Sequence, residues 1–271
     1  FDTVMPEYSV DQEVAALGAE VDWGDRNMMP DTKSFLYQDF SDITIPDDFL
    51  EKPSMKVLLD ALSILRRHVG GSAAIIGKAM GPWTLSYHMA GTQNFLLQIG
   101  LGEIDKVRKM VEQLIPVTIA SVNAQFQAGA DLVVVADHAT GNLISAEHYA
   151  ELLLPYHQEL TSQIDGPTIL HVCGNCTDRL HHFAEAGFNG YHFEWQVDAK
   201  NAVQIVADKM VLIGNVNNPQ TLLQGTPEDV YQQARYAIES GVEIIGPECA
   251  IPLSTPLENL KAIVAAVQEG Y

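Results

Sequence analysis

Two short segments of the chain each end in a cysteine, and one of them also carries a histidine. His171 and Cys173 close the apolar run Pro167–Gly174, and Cys249 closes a second run that begins at Glu243. Because side chains along a β-strand alternate between its two faces, residues 171 and 173 project from the same face. One imidazole and two thiolates suit Zn²⁺ if the fold brings the two segments together. The spacing therefore predicts a metal site formed by His171, Cys173 and Cys249.

Other polar residues are candidates to complete this site. A closed tetrahedral site needs a fourth ligand, and Glu194 is the best candidate because it ends the adjacent apolar segment that starts at Tyr191. It could instead hydrogen-bond the N-terminus of a nearby helix. Asp137 and His138 end another apolar segment. We take Asp137 as a candidate catalytic residue and His138 as a candidate cofactor-binding residue, with loop capping or support of the metal ligands as alternatives.

The third cysteine, Cys176, forms a Cys-x-x-Cys motif with Cys173. Such a motif occurs in zinc ribbons and in thiol–disulfide oxidoreductases. A ribbon needs a second pair, which a chain with three cysteines does not have. The redox motif is expected at a helix start directly after a first strand. We therefore expect Cys176 to lie outside the metal site.

The fold that must position these residues is indicated by alternating segments from about residue 70 onward. Strands followed by amphipathic helices predict a mainly parallel sheet with right-handed crossovers. An open doubly wound sheet fits the same pattern, but polar or ligand-type residues end nearly every strand, as at the carboxyl-end face of a barrel. The sequence therefore predicts an α/β fold, a (β/α)8 TIM barrel with parallel strands, in a single domain over residues 1–271. The six clearest strands are Ala73–Ala79, Asp131–Asp137, Thr168–Cys173, Asn189–Glu194, Met210–Asn215 and Glu243–Cys249.

The remaining strands of the barrel are sought at the amino end. Phe1–Met5 is a candidate seventh strand. An eighth would then lie upstream of residue 1, which predicts that the natural polypeptide, or its relatives, extends further in that direction. The segment Gly18–Lys56, rich in Asp, Pro and Met, is interpreted as a long excursion between strands without a domain of its own.

The sequence also predicts where several helices begin and end. Gly129, Gly187 and Gly241 each precede a predicted strand, where glycine can adopt the left-handed conformation that terminates a helix. Thr226 and Thr255 each precede a proline and lie three residues before a carboxylate. This pattern predicts a threonine N-cap at both positions.

The composition restricts the class of partner. Thirty-five acidic and fifteen basic residues give a formal charge of −20, which disfavours nucleic acid and anionic membrane surfaces. The chain has no apolar stretch of membrane-spanning length and no signal-peptide pattern at its start. We expect a soluble cytoplasmic protein, with a homodimer as one option for its oligomeric state.

A zinc site with two thiolates and one imidazole favours thiol alkylation over hydrolysis. The electron-rich metal is a modest Lewis acid for water but can bind a substrate thiol as a nucleophilic thiolate, which suits thiol alkylation. Hydrolysis by metal-bound water is the competing reaction and would be helped by a general base. Glu194 or Glu248 could provide that base.

Longer motifs show a resemblance to a known family. The chain resembles the uroporphyrinogen decarboxylase superfamily, and within it the methylcobamide:coenzyme M methyltransferase branch. The discriminating element is His171-x-Cys173 with the distant Cys249, because the decarboxylases of the superfamily do not use it. The motifs that carry the resemblance are Gly81-Pro-Trp-Thr84, Asp137 after an apolar strand, Ser145 to Leu154-Pro-Tyr156, His171-x-Cys173, Gly214-Asn-Val-Asn-Asn-Pro219, Gly246-Pro-Glu-Cys-Ala-Ile-Pro252 and Thr255-Pro-Leu-Glu-Asn-Leu260.

The resemblance implies a zinc-dependent methyl transfer. Catalytic Zn²⁺ would be bound by His171, Cys173 and Cys249, with Glu194 completing the metal shell until the thiol displaces it. The acceptor, coenzyme M in that branch, would attack the methyl group of methylcobamide delivered by a partner corrinoid protein. Cobalamin-independent methionine synthase has a similar order of ligands, so the resemblance supports zinc–thiolate chemistry more strongly than any one methyl donor.

Two other functions stay open from the sequence. A metal-free decarboxylase acting on a tetrapyrrole would have the same fold. A zinc-stabilised binding subunit without turnover would have the same ligands, but its four-coordinate metal would not respond to added thiols.

Overall fold

The computed structural model describes residues 2–6, 11–25 and 28–270. Its strands are β1 (Thr3–Val4), β2 (Val21–Asp22), β3 (Asp31–Thr32), β4 (Ala74–Met80), β5 (Leu132–Ala136), β6 (Thr168–His171), β7 (Gly190–Phe193), β8 (Val211–Val216) and β9 (Ile244–Pro247). Its α-helices are α1 (Gln12–Ala16), α2 (Pro53–Val69), α3 (Pro82–Ala90), α4 (Thr92–Gly100), α5 (Ile104–Ala128), α6 (Ala146–Leu152), α7 (Leu154–Ser162), α8 (Leu180–Phe183), α9 (Ala199–Val206), α10 (Pro227–Ser240) and α11 (Leu257–Gly270). A π-helical segment follows β8 at Asn218–Leu223.

The backbone forms two compact units. The first contains the chain up to Ala139 together with Pro155–Thr168, and the second contains Thr140–Leu154 and the chain from Ile169 onward. In the first unit the strand order is β1-β4-β5, and both pairs are parallel. In the second the order is β6-β7-β8-β9, again with parallel pairing throughout.

In the first unit α5 packs against β4 and β5, and α3 packs against α5 and α4. Trp83 and Phe95 are fully buried and meet edge to face, with their ring centroids 4.9 Å apart. Beyond the short β1, the side-chain amide of Gln125 on α5 accepts from the Lys78 N–H and donates to the Lys78 carbonyl, each at 2.8 Å. The Gln125 amide thus satisfies the backbone N–H and carbonyl of Lys78, as buried backbone polar groups require.

The second unit has an apolar layer between β8 and the last two long helices. β-branched and small residues dominate it because a helix can approach a strand closely only over small side chains. Its strands position the site, since β6, β7 and β9 all end beside the predicted ligands. The buried members of this layer are Val216, Leu222, Val230, Ala234, Ala262, Ile263 and Ala266.

The structure confirms the predicted strands with small shifts at their ends. All six segments predicted from residue 70 onward form strands, and β1 lies in the predicted segment Phe1–Met5, of which Phe1 is outside the described residues. The excursion Gly18–Lys56 contains the antiparallel pair β2–β3. The α/β class is therefore confirmed, whereas the single domain over residues 1–271 stays a prediction.

The predicted helix ends are confirmed with two exceptions. Gly129 and Gly241 are the left-handed C-caps of α5 and α10, with φ of 113° and 99°. Gly187 has a positive φ of 90°, but it does not end a helix, because α8 already ends at Phe183 and is capped by Ala184. Thr226 forms a full capping box with Asp229. The hydroxyl of Thr255, in contrast, has no hydrogen-bond partner.

The Thr255 cap was wrong because α11 begins one residue later than the pattern indicates, at Leu257. The first turn of the helix donates from Asn259 and Leu260 to the carbonyl of Pro256, which has no polar side chain. In the part of the chain that the structure describes, no helix has the length and apolar character needed to cross a membrane.

Candidate metal centre

The three predicted ligands lie together in the second unit, although Cys249 is 76 residues from Cys173 in sequence. The Cys173 sulfur is 3.3 Å from Nε2 of His171 and 3.6 Å from the Cys249 sulfur. The Cys249 sulfur is 3.4 Å from the same Nε2. The ends of β6 and β9 therefore bring one nitrogen and two sulfurs into a triangle.

The size of this triangle fits zinc. Zinc–sulfur bonds of about 2.3 Å and zinc–nitrogen bonds of about 2.0–2.1 Å place tetrahedral ligands about 3.5–3.8 Å apart. The observed edges of 3.3, 3.4 and 3.6 Å are close to these separations. Two sulfurs and an imidazole nitrogen are also donors that Zn²⁺ prefers. The residues present therefore fit the metal, with one position left for a further ligand.

The backbone fixes the orientation of the His171 ring. Its Nδ1 lies 3.1 Å from the carbonyl oxygen of His192, which only accepts hydrogen bonds. Nδ1 therefore carries the proton, and in the neutral ring Nε2 keeps its lone pair toward the sulfurs. His171 pairs with His192 in register between β6 and β7, and the two rings lie 4.5 Å apart. This is the arrangement that a metal-binding imidazole needs.

The Cys173 thiol lies close to two other groups that can become negatively charged, the Cys249 thiol and the Glu194 carboxyl. The hydrogen bond with Cys249 raises the pKa of Cys173, and burial and the nearby Glu194 carboxylate raise it further. Two thiolates cannot share so small a space unless a cation compensates their charge. A bound Zn²⁺ reverses this shift because it coordinates the deprotonated form.

Glu194 follows β7 and is half-buried. Its carboxylate is close enough to Cys173 to raise the pKa of that thiol, so Glu194 lies near the ligand triangle. The alternative of a helix cap finds no support, since the described N-cap of α9 is Asp198. A role for Glu194 as fourth ligand stays a prediction that this position favours.

Glu248 directly precedes Cys249 and is buried. Burial raises the pKa of its carboxyl, and two hydrogen bonds from backbone amides oppose that shift. Oε1 accepts from the Asn218 N–H at 2.7 Å and Oε2 from the Trp195 N–H at 2.9 Å. Because both oxygens are occupied by the backbone, Glu248 is poorly placed to act as the general base that hydrolysis would need.

Cys176 lies outside the triangle. It is fully buried, and its thiol is 3.8 Å from the carbonyl oxygen of Cys173. Burial raises its pKa to about 11. It therefore stays a thiol at neutral pH and is a packing residue.

Asp137 and His138 lie in the first unit, after β5. The Asp137 carboxylate accepts from the Thr84 N–H at 2.7 Å at the start of α3, and its Oδ2 is 2.8 Å from Nε2 of His157. Both side chains of this pair are fully buried. Gly81 is required here, because a Cβ at that position would lie 2.2 Å from Cγ of Asp137.

These contacts favour the alternative reading of Asp137 as a cap, and its catalytic role stays a prediction. The backbone N–H of His138 donates to the Thr84 hydroxyl at 2.8 Å. Burial lowers the pKa of its imidazole to about 4, so the ring is neutral at physiological pH. Cofactor binding by His138 also stays a prediction.

Sequence reasoning missed three residues that support these groups. His157 was not singled out, although it follows the quoted Leu154-Pro-Tyr156 motif. His192 was not singled out either, and Glu248 was considered only as a candidate base. Alternation along β7 places His192 beside Glu194, which was the one signal available for it.

Comparison with known proteins identifies the family. The model of the uroporphyrinogen decarboxylase (URO-D) family matches residues 1–270. The chain belongs to the uroporphyrinogen decarboxylase family. The resemblance predicted from the motifs is thereby confirmed, and so is the α/β barrel class.

Within the uroporphyrinogen decarboxylase family, the relatives in the comparison include methyltransferases. The chain is 31% identical over 259 residues to the methylcobamide:CoM methyltransferase MtaA of Methanosarcina barkeri, covering 94% of this chain and 76% of the relative. It is 31% identical over 269 residues to the methylated-thiol–coenzyme M methyltransferase of Methanosarcina mazei, covering 99% and 72%. The structure of a methyltransferase from Methanosarcina mazei superposes with a TM-score of 0.94 at 31% identity, covering 99% of this chain and 80% of that one.

Proposed function

We propose that the protein is a zinc-dependent methyltransferase that moves a methyl group from methylcobamide, carried by a corrinoid protein, to the thiol of coenzyme M. The observation that carries the proposal is the triangle of His171 Nε2 and the Cys173 and Cys249 sulfurs, with edges of 3.3–3.6 Å. The relatives named methylcobamide:CoM and methylated-thiol–coenzyme M methyltransferases support the reaction class.

The chain's own residues would prepare the acceptor. Zinc held by His171, Cys173 and Cys249 would lower the pKa of the acceptor thiol, so that the thiolate is present at neutral pH. The carbonyl of His192 keeps Nε2 of His171 unprotonated and aimed at this position. Glu194 would occupy the remaining position until the thiol arrives, a role that its influence on the pKa of Cys173 supports.

The methyl transfer would be a nucleophilic displacement of the cobamide by the acceptor thiolate. The acceptor sulfur forms a bond to the methyl carbon while the cobalt–carbon bond breaks, and its electron pair stays on the cobamide. The thiol proton has by then been lost to solvent. The products are a methyl thioether and the reduced cobamide, and no external oxidant or reductant is required.

Exposed apolar side chains next to the ligands support a protein partner. Trp195 follows Glu194, and Ile251 and Leu253 follow Cys249. Their exposed fractions are 42%, 42% and 78%. Exposed apolar residues that follow the proposed ligands in sequence support, as part of the proposal, a surface where the corrinoid protein would dock. The cytoplasmic location and the homodimer stay predictions.

The three cysteines provide a test with a control inside the chain. We expect C249A to lose bound zinc and to lower methyl transfer from free methylcobalamin to coenzyme M by at least about 100-fold, because even the outer partners of metal ligands contribute about 10–100-fold. C176A removes the same atoms from a buried cysteine outside the triangle and should keep about one zinc per chain. Zinc content by mass spectrometry and the cobalamin spectrum give the two readouts.

Other outcomes would favour the alternatives. Turnover of a porphyrinogen that chelators do not affect would indicate the decarboxylase. Zinc that binds to the wild-type protein without any methyl transfer, and whose coordination ignores coenzyme M, would indicate the non-catalytic binding subunit. Equal zinc content in C249A and C176A would remove the proposed metal site.

A further inference from the structure

The carboxylate of Glu248 joins the ends of three strands in the second unit. Glu248 follows β9, its Oε2 accepts from Trp195 after β7, and its Oε1 accepts from Asn218 after β8. Its own N–H donates to the carbonyl of Val216, the last residue of β8, at 2.9 Å. One buried side chain therefore ties together the segments that carry Glu194 and Cys249.

The backbone on either side of Cys249 is fixed by further hydrogen bonds. Nε2 of His192 donates to the carbonyl of Pro247 at 2.8 Å, and the Asn218 side-chain amide donates to the carbonyl of Ala250 at 2.8 Å. β9 itself ends at Pro247, two residues before the cysteine. The position of the Cys249 sulfur therefore depends on side-chain contacts, because the strand ladder does not reach it.

We propose that Glu248 is a positioning residue of the metal centre, holding the Cys249 and Glu194 segments at the separation that zinc requires. The inference rests on the proposed zinc site and adds to it a residue that does not touch the metal. Its basis is geometric: a carboxylate with both oxygens on backbone amides cannot be replaced by a neutral side chain of equal size without losing one hydrogen bond.

Glutamine tests this requirement with the smallest change in shape. In E248Q the side-chain oxygen can still accept from one amide, but its NH₂ group faces the other amide and both are donors. The chain offers a matched control in Glu243, on the same segment just before β9, whose Oε2 accepts from the Leu212 N–H at 2.9 Å. E243Q also perturbs a carboxylate bonded to a neighbouring strand, but at the opposite end of β9 from the ligands.

The experiment loads wild-type protein, E248Q and E243Q with one equivalent of zinc and measures the rate of zinc transfer to a chromogenic chelator. We expect E248Q to release zinc about 10–100-fold faster than wild type, the range found for outer partners of metal ligands, and E243Q to release it at the wild-type rate. The unfolding temperatures of the zinc-free proteins are measured in parallel. A positioning role predicts faster release from E248Q even where the two zinc-free variants unfold at the same temperature.

The same measurements distinguish an error in the positioning role of Glu248 from an error in the proposed zinc site. Release from E248Q within about two-fold of E243Q, with zinc bound to all three proteins, overturns the positioning role and leaves the proposed function intact. Absence of zinc from the wild-type protein overturns both. If E248Q does not fold, E248D, which keeps the charge but is too short for both amides, replaces it under the same criteria.

Discussion

At the residue scale, the candidate metal centre depends on backbone groups as much as on the side chains proposed as its ligands. The carbonyl of His192 selects the tautomer of His171, and the amides of Trp195 and Asn218 fix Glu248 beside Cys249. The convergence of His171, Cys173 and Cys249 could be predicted from sequence, because strand alternation depends on local pattern and polar residues end the strands of one sheet face. The supporting contacts could not, because they depend on the register between strands far apart in the chain.

Asp137 provides a residue-scale prediction. Its carboxylate accepts from Thr84 at the start of α3 and contacts His157 without access to solvent. Asparagine would place an NH₂ group against donors, so we expect D137N to lower the free energy of unfolding by about 1–3 kcal/mol, the cost of an unsatisfied buried group. Denaturation by urea measures this change.

The control is D198N, at the exposed N-cap of α9, where the side chain accepts from Asn201. Asparagine is about as good an N-cap as aspartate, and its NH₂ group can donate to the Tyr236 hydroxyl that the other carboxylate oxygen contacts, so the change should be small. Loss of methyl transfer in D137N with unchanged stability would instead support a catalytic role for Asp137.

At the element scale, the strands and two of the three predicted glycine-terminated helix ends, at Gly129 and Gly241, agree with the sequence-based predictions. β4 to β9 differ from the predicted segments by only a few residues at their ends. These features depend on local properties: β-branched residues favour strands, and glycine tolerates positive φ. The start of α11 did not follow its local signal, because Thr255 and Thr226 share a motif and only the latter caps a helix.

The two threonines form a matched pair for a stability test. T226A removes a hydroxyl that accepts from the Asp229 N–H at 3.2 Å and donates to its carboxylate at 2.6 Å. We expect it to cost about 0.5–2 kcal/mol, as loss of an N-cap does. T255A removes a buried hydroxyl without a partner, so its cost should stay below about 0.5 kcal/mol. Equal losses of stability in T226A and T255A would contradict the conclusion that only Thr226 caps a helix.

At the scale of the whole molecule, the chain has a formal charge of −20, and the candidate site itself lies beside two carboxylates, Glu194 and Glu248. The relatives show that this architecture extends over nearly the full sequence, with 94–99% of the chain matched. Family and fold class could be predicted because many dispersed motifs indicate them together. The division of the backbone into two compact units could not, because it is a property of packing that no motif encodes.

The most direct test of the central claim is zinc-edge X-ray absorption spectroscopy of the wild-type protein with and without coenzyme M. Before addition, the spectrum should fit about one zinc per chain with two sulfur ligands, from Cys173 and Cys249, and the nitrogen of His171. On addition of coenzyme M a third sulfur should enter at about 2.3 Å. A first coordination shell that stays unchanged when the thiol is added would contradict thiol activation at this centre.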